Sequence, residues 1–167
     1  MSDRISRPVA ESQAEMTQLV LPPDTNHHGT IFGGRVLQWI DIAAGISAQR
    51  HCRQKVVTAA IDEMHFNLPI KQGDIVILRS SVNFVSRSSM EIGVRVERES
   101  PATGRRFHAA TAYLTFVALD GDDHPVEVPM LTLLTDEERR RWSEAEARRA
   151  ARLERRAVLL AKQKAEQ

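Results

Sequence analysis

Between Val56 and Leu119 apolar and polar residues alternate with a period of two, and only short turn-rich segments interrupt the alternation. Met90 to Arg98 is the cleanest stretch, setting Met90, Ile92, Val94 and Val96 against Glu91, Gly93, Arg95 and Glu97. Asp74 to Val85 puts Val76, Leu78, Val82 and Phe84 on one face, with Ser80 as its soft spot. Arg105 to Leu119 does the same with Ala110, Ala112, Leu114, Phe116 and Ala118. Val56 to Phe66 is more mixed. The connectors Pro69–Gly73, Ser86–Ser89 and Ser100–Gly104 are too short for crossover helices, so these strands must be antiparallel neighbours. With a further strand over Glu15 to Leu21, ended by Pro22 and Pro23, the pattern predicts one antiparallel sheet of about five strands.

A sheet of this kind needs one face covered, and the sequence offers a single long helical pattern early in the chain, Arg35 to His51. The expected class is therefore α+β, one helix against an antiparallel sheet, whose edge must be shielded or paired with a second copy. The polar loop Asp24 to Phe32 leads into the helix through Gly33 and Gly34. Helix starts carry unpaired N–H groups and a partial positive charge, so they hold carbonyl oxygens or anions, and glycines there let a ligand reach the backbone. Asp41 is the anomaly on the helix. Its same-face neighbours are Leu37, Gln38, Ala44 and Gly45, and an inward acid is costly unless paired or used. The plainer reading places Asp41 at the edge of the stripe, solvated.

The chain has 167 residues, enough for one domain with a real core or a domain plus a tail. Its net charge of +1 gives no electrostatic reason to expect nucleic acid. A single cysteine, Cys52, excludes an internal disulfide framework and a cysteine-rich zinc site. The opening residues lack an apolar signal core and no later run has membrane-span length, so the cytoplasm is the expected compartment. Residues 1–11 are expected to form a flexible arm, 12–130 the folded domain and 131–167 a charged helical extension. In that extension Thr135 and Glu138 make a capping box, and a helix should run from about Asp136 to Lys162. Its mixed charges describe a solvated face, with Leu133, Leu134, Trp142 and Leu153 packing inward.

The pieces DTNHHGTIFGGRVLQWID, FNLPIKQGD and VNFVSRSSMEIGV, in this order, resemble the hotdog-fold acyl-CoA thioesterases of the YciA and cytosolic brain acyl-CoA hydrolase group. The resemblance covers about Glu15 to Val128. It implies a hotdog fold whose subunits pair into a continuous sheet and assemble further as trimers of dimers. It implies an acyl-CoA substrate, hydrolysed to free fatty acid and coenzyme A, and no separate cofactor or metal. It further implies that Asp41 is the catalytic acid, as general base or nucleophile, and that Asn26 acts with it from the partner subunit. By residue chemistry alone, Asn26 in such a loop makes an Asx turn. Gly33 and Gly34 would polarise the carbonyl. Thr58 and His28 would line the substrate path, and Arg87, Ser88 and Ser89 would meet coenzyme A, with Arg105 and Arg106 as further cations.

Three alternatives keep the same fold or loop. A hydroxyacyl thioester dehydratase or hydratase would pair His27 with Asp41. A non-catalytic acyl-CoA sensor would bind without turnover. A metal site would draw on Asp24, His27 and His28, although adjacent loop histidines seldom share one ion.

Overall fold

The structure is a computed structural model that describes residues 4–62 and 64–165. The strands are β1 (Ser6–Pro8), β2 (Ala14–Leu19), β3 (Lys55–Ile61), β4 (His65–Phe66), β5 (Ile75–Val85), β6 (Ser89–Glu99), β7 (Arg106–Leu119) and β8 (Met130–Thr132). The helices are α1 (Gly33–Cys52) and α2 (Asp136–Ala165). The main sheet is antiparallel in the order β2-β5-β6-β7-β3, with short β4 also on β7. The α+β class expected from the alternation, and the hotdog fold that the resemblance implies, are therefore the observed ones. The mixed stretch after Val56 is mixed because it holds two strands, β3 and β4, and because the β3–β7 register shifts between Thr58 and Ala60.

The sheet curls around α1. The helix buries Val36, Ile40, Ala43, Ala44 and Ala48 against Val76, Leu78, Val94, Ala112, Leu114 and Phe116, all at most 3% exposed. Alanines at the contact let the helix axis lie close to the strands, and Phe116 stands 3.7 Å from where a Cβ on Gly45 would be. Ser80, the soft spot of the β5 pattern, is a fastener. Its hydroxyl donates to the Ala43 carbonyl at 2.8 Å and pairs with the Ser47 hydroxyl at 2.7 Å. Buried hydroxyls cost free energy unless bonded, so this pair sits where both are satisfied.

Two expectations about the ends of the chain need correction. Residues 4–12 are not a loose arm. β1 runs parallel to β8 in the register Ser6 with Met130, the Arg4 guanidinium bonds the carbonyls of Ser86, Arg87 and Val128, and Val9 enters the core at 4% exposure. Ser12, fully buried, accepts the Val82 amide at 3.0 Å, a donor left free beside the β5 bulge. The polar composition that suggested an arm serves to satisfy backbone groups. Met1 to Asp3 lie outside the described residues.

α2 packs through Trp142 as expected, but it is more than a solvated surface helix. It starts with the expected capping box, Glu138 N–H to Thr135 Oγ1 at 3.1 Å and Thr135 N–H to Glu138 Oε2 at 3.0 Å. It then crosses the outer face of the sheet. Trp142 packs against Phe84 of β5, the two rings tilted by 50° with centroids 4.4 Å apart, and Ala145 is fully buried. Arg148 binds Glu91 of β6 at 2.7 Å and covers the Tyr113 ring of β7 at 3.6 Å. Arg152 reaches Asp62, at the end of β3, at 2.9 Å. Leu134 and Leu153, expected inside, are 64% and 46% exposed. Glu91, on the polar side of the β6 alternation, is 2% exposed.

Candidate active site

The loop before α1 is built around two acidic and amide side chains. Asp24 is buried; its carboxylate accepts the Leu21 amide at 3.0 Å and meets Arg35 Nε of α1 at 2.9 Å, while its carbonyl accepts the Phe32 amide at 2.9 Å. Asp24 therefore ties the loop entry, the helix cap and the first helical turn together. Asn26 closes the loop itself. Its Oδ1 accepts the amides of His28 at 2.9 Å and Thr30 at 3.3 Å, and its Nδ2 donates to Thr30 Oγ1 at 3.0 Å. This is the Asx turn expected from residue chemistry, and Gly29 at φ +73° supplies the left-handed step that closes it.

α1 then starts at Gly33 without a side-chain cap, and the amides of Gly33 and Gly34 find no partner among the described residues. Unpaired first-turn donors at the positive end of a helix dipole hold an oxyanion or carbonyl oxygen. A cavity of about 530 Å³ opens there, between Thr30, Ile31 and Gly33 on one side and Phe66 to Ile70 on the other. The Phe66 ring comes within 3.6 Å of where a Cβ on Gly33 would stand, and none of the described residues lies within 4 Å of one on Gly34.

Asp41 sits two turns further along the helix, half-buried, between the buried stripe and the exposed Ile42. The stripe-edge position is thus the observed one, but the carboxylate is not simply solvated. Thr58 Oγ1 of β3 donates to Asp41 Oδ1 at 2.8 Å, and Oδ2 takes no hydrogen bond from the described residues. A held carboxylate with one oxygen free suits a general base or a nucleophile. Thr58 is therefore the partner of Asp41 rather than only a lining residue. The bond depends on β3 lying beside α1, a pairing of distant segments that no alternation pattern reveals, and so sequence reasoning missed it.

Within one chain the predicted site residues do not converge. Asn26 bonds only its own loop, and Gly33 and Asp41 are separated by about 12 Å of helix. His28 is exposed and its ring lies against that of His27, centroids 3.8 Å apart, and His27 forms no pair with Asp41. The Ser86–Ser89 turn, with exposed Arg87, lies at the far end of the sheet from the loop. There Ser89, Val117 and Val57 stand in register across β6, β7 and β3, roughly 10 Å from first to last. Arg105 and Arg106 lie at the opposite end of β6, and Arg106 is held by Glu99 at 2.6 Å. Asp24, His27 and His28 do not form an ion site, since Asp24 is committed to Leu21 and Arg35. Among the described residues the group close enough to hold an ion is Asp120, Asp122 and His124, on an exposed turn.

A larger cavity of about 650 Å³ opens on the other side of the sheet, beneath α2, away from Asp41. Its five arginines, Arg79, Arg95, Arg140, Arg141 and Arg148, are each already paired with a glutamate. An anion there would have to compete with those carboxylates.

Residues 28–104 match the thioesterase superfamily. A Bacillus subtilis protein described as an uncharacterized acyl-CoA thioester hydrolase, YkhA, is 50% identical over 128 residues, which cover 77% of this chain and 74% of that protein. The rat cytosolic acyl coenzyme A thioester hydrolase is 35% identical over 84% of this chain, which spans 37% of that longer protein. An apo-hexameric acyl-CoA thioesterase of known structure superposes with a TM-score of 0.88 at 43% identity, covering 92% of this chain and 99% of that one. The Staphylococcus aureus acyl-CoA hydrolase, solved with butyryl coenzyme A and coenzyme A, gives 0.84 at 36% identity, covering 93% and 98%. Three further structures of the Staphylococcus enzyme carry alanine in place of an asparagine, an aspartate and a threonine. Those residues are spaced at intervals of fifteen and seventeen, the intervals that separate Asn26, Asp41 and Thr58 here. The chain belongs to the hotdog-fold acyl-CoA thioesterase family.

Proposed function

We propose that this chain hydrolyses acyl-CoA to free fatty acid and coenzyme A, and that Asp41 drives the reaction. The observation that carries the reading is the bond from Thr58 to Asp41, which fixes one carboxylate oxygen and leaves Oδ2 open. The shared spacing of asparagine, aspartate and threonine with the Staphylococcus hydrolase supports it. Oδ2 either takes a proton from water as it attacks the thioester carbon, or attacks that carbon directly to form a mixed anhydride that water then hydrolyses to the fatty acid and free Asp41. In both cases negative charge grows on the carbonyl oxygen and the sulfur leaves. The free amides of Gly33 and Gly34 are the donors available for that oxygen, and such a donor is worth about 3 to 4 kcal/mol of barrier.

Because the loop and Asp41 stand apart within one chain, the site needs a second copy. β3 is an open edge with Val57 41% and Ile61 43% exposed, and Thr58 places Asp41 beside it. Antiparallel pairing of two β3 strands about a two-fold axis reverses one sheet against the other. That reversal carries the loop end of one copy, with Asn26, Gly33 and Gly34, toward Asp41 and the Ser86–Ser89 turn of the other. The hexameric form of the solved relative supports self-association of this kind. In this reading Asn26 Nδ2 and the loop amides orient water or the thioester, and Arg87 with Ser88 and Ser89 receives the coenzyme A moiety.

Thiol release from short, medium and long acyl-CoA substrates tests the proposal. Asp41→Asn lowers kcat at least about a thousandfold, while Thr58→Ala, which frees the carboxylate but leaves it in place, costs roughly ten- to a hundredfold. Wild-type protein that releases no thiol from any substrate would make the chain a sensor. Hydration of an enoyl-CoA without thiol release, lost on His27→Ala and on Asp41→Asn alike, would favour the dehydratase chemistry.

A further inference from the structure

We infer that the distal half of α2 is a clamp that docks on the outer sheet face of a second copy of this chain, across the β3 edge. The inference rests on the β3 pairing proposed above and names a surface that pairing alone does not use.

The path of α2 sets up the geometry. It crosses β5 at Trp142, β6 and β7 at Arg148, and leaves the sheet at Arg152, which binds Asp62 just past the end of β3. β3 is the last strand, so the described residues offer no sheet beneath the rest of the helix. Yet the helix continues to Ala165, about 20 Å beyond Arg152. Its sheet-facing side continues as well, and there it becomes apolar. Leu159 falls on the line of Arg148 and Arg152, and Leu153 and Leu160 fall on the line of Trp142. These three leucines are 46 to 61% exposed. A docking face that outlasts its own sheet calls for a second sheet continuing in the same plane.

Pairing two β3 strands antiparallel supplies one. The Ile61 end of one copy then lies beside the Lys55 end of the other. Leu159 is about 10 Å past Arg152, a reach of two strand spacings, which sets it over β3 and β7 of the second copy. The outer face there presents Val57, 41% exposed, and Val117, its half-buried register partner. Charge agrees with the apolar match. From Arg149 to Lys162 the helix carries Arg149, Arg155, Arg156 and Lys162, besides Arg152 on Asp62, against Glu154 alone. Leu119, the register partner of Lys55, leads into the turn bearing Asp120, Asp122 and Asp123, of which Asp123 is paired with Lys55, so three carboxylates against one ammonium leave this turn net negative. Asp122 is exposed, and Asp123 keeps 65% of its side-chain surface open beside Lys55.

The test uses full-length chains in a Cys52→Ser background, with two differently tagged copies mixed during refolding. One copy carries Leu159→Cys and the other Val57→Cys, and a short bismaleimide joins them into a mixed-tag species. A separate Ala59→Cys chain reports β3 pairing by joining to itself. The clamp predicts both products. It also predicts that Arg155→Glu with Arg156→Glu weakens self-association at least about tenfold in sedimentation equilibrium, and that Asp122→Lys with Asp123→Lys in the same chain restores it. The Ala59 product without the mixed-tag product overturns the clamp and leaves the edge pairing standing. Absence of both overturns the clamp together with the pairing. Co-sedimentation with vesicles of phosphatidylserine and phosphatidylcholine, in place of the mixed-tag product, overturns it in favour of a lipid surface.

Discussion

Replacing Arg148 with alanine probes the force that holds α2 on the sheet. Glu91 is 2% exposed, and Arg148 contacts both of its oxygens, at 2.7 Å through Nη2 and 3.3 Å through Nε. Arg148 keeps 25% of its own side-chain surface, so its charge reaches water where the carboxylate cannot. Removing the arginine strands a buried charge, an effect worth about 3 to 5 kcal/mol. In a domain of this size each kcal/mol lowers Tm by about 2 to 4 °C, so Arg148→Ala should melt roughly 6 to 20 °C lower. Calorimetry on Arg148→Ala, Glu91→Gln and the double variant separates the causes. The double variant removes the stranded charge and recovers part of the loss. If Arg148→Ala costs no more than the double variant, the buried charge is not what anchors the helix and the reasoning fails.

Two further expectations concern the core and the helix start. His51 is fully buried at the C-terminal turn of α1, its Nε2 donates to the Pro129 carbonyl at 2.9 Å, and its Nδ1 has no partner among the described residues. Burial holds its pKa below the ordinary value, with Arg7 and Arg4 acting in the same sense against the Pro129 bond and Glu11. Below about pH 6.5 the unfolded chain binds a proton there that the folded chain refuses, so stability falls with falling pH by up to about 1.4 kcal/mol per pH unit until the folded pKa is reached. Urea midpoints from pH 7 downward should slope less steeply in His51→Gln; an unchanged slope would acquit this ring. Gly34→Ala adds a methyl where none of the described residues lies within 4 Å, so Tm should hold or rise while thiol release drops at least about tenfold. Full activity in that variant would place the substrate carbonyl elsewhere.

The elements with clean periods were legible in the sequence. β6 reads as a strand because Met90 to Val96 alternate without exception, and α1 because its small and apolar residues repeat at helical spacing. Asp41 stood out for the same reason, as a residue the period did not ask for. What stayed hidden depends on pairings between distant segments. β1 is three residues ending in proline, and nothing local marks Ser6 as the neighbour of Met130. Thr58 meets Asp41 because β3 lies beside α1 with Thr58 on the same side as its register partner Phe116, and such a pairing leaves no mark on hydropathy. Glu91 looked like the wet side of an alternating strand, and only the path of α2 makes it a buried anion. Arginine-rich helices look alike in sequence whether they face water or an acidic sheet.

The two serines between α1 and β5 bear on how tightly the carboxylate is aimed. Alkyl side chains packed on a sheet resist separation but only weakly resist slipping or rolling, since one greasy neighbour serves nearly as well as the next. A hydroxyl committed to the Ala43 carbonyl has one address, so it removes both freedoms. Asp41 lies half a turn from that carbonyl, and its gap to the Thr58 hydroxyl therefore inherits the stiffness of the fastener instead of drifting with the core.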